Sequence, residues 1–513
     1  MSDPAQPRFT QPGVSVAADK TALVMGEKSL SFGELEERVE RLARALVARG
    51  LEPGSAVAVM LPNGFEFMEV GLATARAGCM LLPVNWHLKT EEVAWILDDS
   101  GASLLIADKE RLPVASESVG LASADSASHP CEILVVGSTS SDGYEAAIAT
   151  APEEPVDVTA RRGRATPRYL FYTSGTTGRP RGVEREDESP DYESAMSTAV
   201  ARMWGLTESD TFIESSPLYH AAGAYAFISL FVGGTIVILP RFEGRAWLEA
   251  VDEHRVTTSL LVPAHFIRIL EVPDDERKSL DTSSLRLVMH SAAPCPIPVK
   301  RKIMDALATA QIWEFYGASE GGATKISPEE WIERPGSVGR AWPGVSVTIR
   351  DEKGRELPQG DTGLIYLSSR GRFRYHNDPD KTEQAWLDDA YTLGDVGHID
   401  PDGFLYITDR SADMVIRGGV NIYPVEIEQV LHSHPAVVDC AVFGVPDDRM
   451  GEVVLAMVEV REPVDAQELQ AWCRERLADF KCPETVRFVD ELPRDPSGKV
   501  RKRYLREAVL EAM

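Results

Sequence analysis

The run Tyr172-Thr173-Ser174-Gly175-Thr176-Thr177-Gly178-Arg179-Pro180-Arg181-Gly182-Val183 constrains this chain more than any other dozen residues. It continues Tyr169, Leu170 and Phe171, an apolar stretch that reads as a buried strand. Glycines at 175, 178 and 182 let backbone N–H groups turn inward toward anionic oxygens. Thr173, Ser174, Thr176 and Thr177 add hydroxyl donors, and Arg181 adds a permanent cation. A strand end furnished in this way suits a triphosphate. The spacing is not that of a Walker A loop, which needs four residues between Gly and Gly-Lys-Ser/Thr.

With 513 residues the chain is too long for one small core, and 43% apolar with 7% aromatic residues describes an ordinary globular composition, so two or more domains are expected. A formal charge of −27 argues against a nucleic-acid-binding role, because affinity for a phosphate backbone needs a basic surface. Any site for a polyanionic ligand must then be basic locally. No run of about 18 apolar residues occurs, and residues 1–10 are polar and proline-containing, so a cytoplasmic protein without a transmembrane segment is expected. Cys79, Cys131, Cys295, Cys440, Cys473 and Cys482 are scattered without Cys-x-x-Cys pairing, which speaks against a disulfide scaffold and a structural zinc site.

Leu35, Val39, Leu42 and Leu46 recur at helical spacing and predict an amphipathic helix ending at Gly50. A strand is predicted at 56–61, a helix at 65–76 and a strand at 80–84, an alternation that implies layered α/β structure with a parallel sheet. Residues 121–167 turn rich in Ala, Ser, Glu and Pro; only 133–136 reads as a strand, and a loosely structured surface stretch is expected there. Beyond a strand-rich part ending near 405–413, helices are predicted at 425–431, 467–478 and 504–511 around a strand at 440–445. A small α+β domain over residues 410–513 is therefore expected after a large α/β domain over 1–409, with the hinge at 409–413.

Further segments carry chemistry. Pro217-Leu218-Tyr219-His220 places a histidine before the small residues Ala221, Ala222 and Gly223. Ser291-Ala292-Ala293-Pro294 is a small-residue turn, and Glu314-Phe315-Tyr316-Gly317-Ala318-Ser319-Glu320 joins aromatic rings to a carboxylate. Tyr391-Thr392-Leu393-Gly394-Asp395-Val396-Gly397 is followed fifteen residues later by Asp409-Arg410. Arg417-Gly418-Gly419-Val420-Asn421-Ile422-Tyr423-Pro424 and Pro493-Arg494-Asp495-Pro496-Ser497-Gly498-Lys499-Val500 complete the series. Each alone has an ordinary structural explanation: a core histidine, a Gly-Asp turn, a solvated loop lysine. Together and in this order they span nearly the whole chain and resemble the acyl-adenylate-forming, AMP-binding family, in its acyl-CoA synthetase and fatty-acid–CoA ligase type.

The resemblance implies ATP, Mg²⁺ and CoA as co-substrates of a small carboxylic acid. It assigns the nucleotide to Thr173, Ser174, Gly175, Thr176, Thr177 and Gly178, to the turn Ala292, Ala293 and Pro294, and to Glu314, Phe315, Tyr316, Gly317 and Ser319. Tyr316 would stack on adenine, Asp395 would accept from the ribose hydroxyls, and Arg410 would contact the nucleotide. Glu320, with Thr173, would hold Mg²⁺. Lys499, His220 and Arg181 are the expected catalytic residues. His220, Ala221, Ala222, Gly223, Tyr225, Gly321 and Gly322 would border the acyl group, whereas Arg417, Gly418 and Gly419 would line the CoA tunnel. The sequence departs from the family pattern at Arg181 and Leu393, where lysine and threonine are usual, at Ser319 for threonine, and at Ala412, where the hinge commonly carries Asp or Lys.

The implied reaction runs in two steps, acyl-AMP formation and then thioester formation with CoA after the C-terminal domain rotates. Small pocket walls favour a medium- to long-chain or bulky hydrophobic acid. Transfer to a carrier protein or an amine is the alternative; luciferase-like oxidation and an inactive nucleotide-binding module stand further off. A homodimer is left open.

Overall fold

The structure is a computed structural model. It describes residues 7–511 apart from 126–130, 142, 174–179, 186–188, 370, 412, 448 and 496–497; of 123–125 it describes the backbone alone. Two compact units emerge: Met1–Phe242 with Glu249–Leu260 and Gly371–Thr382, and Glu243–Leu248 with Leu261–Arg370 and Glu383–Met513.

The first unit contains a seven-stranded sheet. Its spatial order is Phe373–Tyr375, Arg181–Arg185, Arg168–Thr173, Met80–Pro83, Ala56–Met60, Leu104–Asp108 and Glu132–Val136. The pairs from Arg168–Thr173 onward are parallel, while the first two strands join antiparallel. Continuous burial of Ala56–Met60 and Met80–Pro83 explains their uninterrupted apolar sequence, since helices cover a parallel sheet on both faces. Ala58, Met60, Leu82, Leu105 and Leu170 pack with Val93, Ile96 and Leu97 of the helix Thr90–Ser100. The predicted amphipathic helix runs over Phe32–Ala48, with a Ser31/Glu34 capping box and Leu35, Val39, Leu42 and Leu46 buried.

The stretch 121–167 is more ordered than its composition suggests. The helix Leu112–Asp125 overlaps it, and the helix Tyr144–Ala149 buries Tyr144 and Ile148. Tyr144 donates its hydroxyl to buried Glu69 at 2.7 Å. A single aromatic anchor with a polar handle thus holds a helix that period counting over six residues cannot detect.

The second unit has a mixed sheet. Leu287–His290 and Gln311–Ala318 pair in parallel, and from there the strands Gly321–Ile326, Ser337–Ala341, Leu405–Arg410, Ala390–Ile399, Gly363–Ser368 and Ser346–Arg350 add antiparallel. Short turns rather than helices connect several of these strands, which is the antiparallel condition. The C-terminal part forms a five-stranded sheet around the hairpin Val437–Asp447 and Gly451–Val460, with helices Pro424–His432, Ala466–Arg474 and Lys502–Glu511. Its faces bury Val442, Val454, Ala456 and Leu431 on one side and Phe443, Leu455, Leu505 and Val509 on the other.

Candidate active site

Thr173 closes the strand Arg168–Thr173 and stands in register with Arg181, which opens the antiparallel strand Arg181–Arg185. The phosphate-loop residues Ser174, Gly175, Thr176, Thr177 and Gly178 lie between them, outside the described residues. The loop's shoulders are pinned: Tyr172 donates to Asp99 at 2.5 Å, and the Trp95 indole N–H donates to the Pro180 carbonyl at 3.2 Å. The Arg181 guanidinium lies 3.8 Å from the carboxylate of Asp378.

His220 initiates the 3-10 turn Ala221–Gly223, which leads into the helix Ala224–Phe231 bearing Tyr225. Asn63 holds the preceding turn, donating to the carbonyls of Ser216 and Leu239 at 2.9 and 3.0 Å and accepting from the Leu218 N–H at 2.8 Å. No sequence pattern singled out Asn63. Its Pro62-Asn63-Gly64 setting is an ordinary strand-end turn.

In the second unit several expected site residues converge. The antiparallel strands Ala390–Ile399 and Leu405–Arg410 set Asp395 opposite Arg410, with Nε to Oδ1 at 3.3 Å. Tyr316 donates its hydroxyl to the other Asp395 oxygen at 2.5 Å, and both residues are buried. Burial and the Asp395 charge together raise the phenol pKa far above its ordinary value, so it stays a donor.

Lys499 sits in a tight turn: its N–H donates to Asp495 Oδ1 at 3.0 Å, and its carbonyl accepts the Asp495 N–H at 2.8 Å. Gly498 before it has φ +86°, and a Cβ there would meet Val262 at 3.0 Å and Ala264 at 3.3 Å, so this bend needs glycine. The Lys499 side chain remains open to solvent. Desolvation by the surrounding protein, followed by the Arg410 charge, lowers its pKa, whereas Asp495, Asp395 and Glu320 oppose the shift. Lys499, Arg410, Asp395 and Glu320 thus lie within one electrostatic neighbourhood.

Strand alternation divides the Glu314–Glu320 segment. Glu314 and Tyr316 face inward, but Glu314 turns to a pocket of its own, bonded to buried Lys300 at 2.6 Å with His290 Nε2 3.5 Å away. Burial raises the Glu314 pKa against the opposing charge of Lys300. The Glu314 carboxylate is therefore held in a core ion pair with Lys300. Phe315 faces the other way, 6.2 Å from Trp342. Trp342 also backs Gly322, where a Cβ would come within 2.0 Å of the indole. Gly317 packs on Gly321 and Gly322, and Ser319 and Glu320 form the turn between the two strands. Trp342 went unsuspected because it lies outside every motif and meets Gly322 only through strand pairing.

Ala292, in the turn Ala292–Ala293–Pro294, adopts φ +77°, a left-handed conformation that alanine rarely takes, and the turn is largely exposed. Arg417, Gly418 and Gly419 form the tip of the hairpin Val415–Arg417 and Val420–Ile422, with positive φ at both glycines. The Arg417 guanidinium bonds the Phe480 carbonyl at 2.8 Å and pairs with Glu484. Its side chain is committed within the C-terminal part, so the glycine backbone is what the hairpin presents. Ala412 lies outside the described residues. Among the described residues no group of three or more His, Cys, Asp or Glu is arranged to hold a metal, and no helix is long and apolar enough to cross a membrane.

The family profile described as AMP-binding enzyme matches residues 12–375, and that of the AMP-binding enzyme C-terminal domain matches residues 426–499. A feruloyl-CoA synthase from Amycolatopsis sp is 34% identical over 95% of this chain and 95% of its own. The fatty acid–[acyl-carrier-protein] ligase ScoC from Streptomyces coeruleorubidus is 32% identical over 95% of this chain and 93% of its own. ATP-bound MatB from Rhodopseudomonas palustris superposes with a TM-score of 0.83 at 32% identity, covering 96% of this chain and 97% of that one. The chain belongs to the acyl-adenylate-forming AMP-binding enzymes, binds ATP and AMP, and is an AMP-forming acid–thiol ligase of the acyl-CoA synthetase type.

Proposed function

We propose that the protein activates a bulky hydrophobic carboxylic acid with MgATP and passes the acyl group to CoA. The observation that carries this reading is Asp395 held between Tyr316 and Arg410. A carboxylate oxygen is a poor leaving group, so the acid first attacks the α-phosphate of ATP, giving acyl-AMP and pyrophosphate. Asp395, held by Tyr316 and Arg410, accepts from the ribose hydroxyls. Lys499 and Arg410 lend positive charge to the phosphorus centre as negative charge builds on its oxygens, and Arg181 does so from the phosphate loop. Removing one such preorganised donor commonly lowers kcat by about 100-fold or more.

Glu320 offers one carboxylate, and Thr173 a hydroxyl. Each is an oxygen ligand of the kind that Mg²⁺ takes, the role that the family resemblance implies for them. When bound, Mg²⁺ would neutralise charge on the departing pyrophosphate. For the second step the chain from 410 to 513 would turn about residues 409–413, withdrawing Lys499 and bringing Gly418 and Gly419 to the acyl-AMP so that the CoA thiol can reach the acyl carbon. Exposed Ile416, Val420, Met450 and Phe480 around that hairpin support a surface that is covered at another stage of the cycle.

In the second unit Gly321 and Gly322 are small, and Trp342 behind Gly322 offers an aromatic surface to a large acid. Feruloyl-CoA synthase and ScoC, as relatives, support aromatic and fatty acids as the classes to try first. The test is incubation with MgATP and a panel of such acids, with and without CoA, read by mass spectrometry. Acyl-CoA formed only when CoA is present is the expected result. Acyl-AMP that accumulates untouched by CoA would overturn the acceptor and point to a carrier protein or an amine.

A further inference from the structure

A charge cluster outside the reacting groups joins the hinge strand to the chain just beyond Lys499. Asp409, 4% exposed, is the next-to-last residue of the strand Leu405–Arg410. Its Oδ1 accepts the Arg410 N–H at 2.8 Å. Its Oδ2 accepts the Val425 N–H at 3.1 Å, in the first turn of the helix Pro424–His432. One turn further along that helix, the Glu428 carboxylate meets the Lys502 ammonium at 2.7 Å and also accepts the Val442 N–H at 2.8 Å. Lys502 opens the helix Lys502–Glu511, three residues after Lys499. Burial weakens the charge on Lys502, yet Glu428, Asp409 and Asp413 together hold its pKa above the ordinary lysine value. Burial raises Asp409 to about 6, and the nearby Lys502 charge opposes that rise.

The members differ in what they are attached to. Lys502, Glu428 and Val425 lie beyond residue 413 and travel together in any rotation about 409–413. The bracket that shapes the Lys499 turn travels with them: Arg494 donates to the Gly498 carbonyl at 2.7 Å and pairs with Asp439. Asp409 alone lies before residue 410, in the strand paired with the one that bears Asp395. A buried carboxylate that gains a helix N-terminal N–H and a nearby ammonium in one arrangement loses both in another, and desolvation makes that difference larger than for a surface pair. The sequence places alanine at 412, where the resembling family commonly uses a charged hinge residue, so this cluster supplies charge to the hinge from a neighbouring position.

We propose that Asp409 and Lys502 are positioning residues for adenylate formation: Asp409 through its bond to the Val425 N–H, and Lys502 through its pair with Glu428 on the same helix, hold the Lys499 turn beside Asp395 and Arg410, and the Asp409–Val425 bond parts when the chain passes to thioester formation. This rests on the two-step reading above. The test measures each half-reaction in single turnover for the wild type, Asp409→Asn, Lys502→Met and the double variant. Pyrophosphate release without CoA reports adenylation. Prepared decanoyl-AMP or feruloyl-AMP plus CoA, with the acid that the wild type adenylates faster, reports thioester formation.

Each single substitution is expected to slow adenylation about 10-fold by misplacing Lys499, with thioester formation unchanged or faster. The double variant should fall no further than the stronger single, the signature of two groups acting through one shared helix, Pro424–His432. Equal losses in both half-reactions together with a lowered Tm would reduce the cluster to a structural role and overturn the proposal. Unchanged adenylation would overturn it as well. A wild type inert toward CoA would instead refute the acceptor, while the non-additivity of the two substitutions in adenylation would still decide the cluster.

Discussion

The Tyr316 hydroxyl donates to Asp395 at 2.5 Å, on the opposite side of that carboxylate from Arg410 at 3.3 Å. Both partners hold the carboxylate and fix its plane, so Asp395 is oriented before any ribose arrives. Tyr316→Phe keeps the ring and removes the donor. A hydrogen bond to a charged group contributes about 1.5–3 kcal/mol, so KM for ATP should rise roughly 10-fold or more with the fold intact. Isothermal titration with AMP checks this; unchanged affinity would show that Arg410 suffices.

Lys499→Ala separates the two half-reactions. Adenylation is expected to fall by at least about 100-fold, since the charge that Lys499 brings to the Arg410 and Asp395 neighbourhood is gone. Conversion of supplied acyl-AMP with CoA should be largely spared. Equal loss of both in single-turnover assays would contradict the separation.

Lys300→Met tests the assignment of Glu314 to the core. Lys300 is fully buried and bonded to Glu314 at 2.6 Å, so its removal strands a carboxylate among apolar groups. The cost should be about 3 kcal/mol, seen as a fall in Tm, and Lys300→Met with Glu314→Leu should recover much of it. The double variant should keep its KM for ATP within about twofold, a result that a nucleotide-binding Glu314 would not allow.

His265 provides a pH dependence. Its Nδ1 accepts the Val262 N–H at 3.4 Å, and burial, then the Arg494 charge, lower its pKa to about 3. The unfolded chain binds a proton below about pH 6.5 that the folded chain refuses, so this group costs stability as pH falls through that window. His265→Gln removes the penalty. Relative to the variant, the wild type should lose up to about 3 kcal/mol between pH 8 and pH 4, read as a narrowing Tm difference. A constant difference would mean that His265 is protonated in the fold.

Order along the chain was legible where chemistry demands particular side chains at fixed spacing. The strand into the phosphate loop could be read because hydroxyls, glycines and a cation do not accumulate there by chance, whereas the Asp395, Asp409-Arg410 and Lys499 segments could be read only through the family resemblance that all the segments carry together. Helices with long apolar faces, such as Phe32–Ala48, were equally readable, since 3.6-residue periodicity survives without tertiary context. The short helix Tyr144–Ala149 was not, because a buried Tyr144–Glu69 bond rather than local pattern holds it.

The sequence by itself determined which residue types the reaction has available and in what order they come. Only the tertiary structure decided where each one points. Glu314 and Tyr316 share one face of one strand, yet the segments packed on that face give Tyr316 to Asp395 and Glu314 to Lys300. Strand pairing brings Trp342 against Gly322, and a helix start three residues beyond Lys499 returns Lys502 to Glu428 and the neighbourhood of Asp409. These are contacts between segments far apart in the chain, set by packing and desolvation, and no local window of sequence contains both partners.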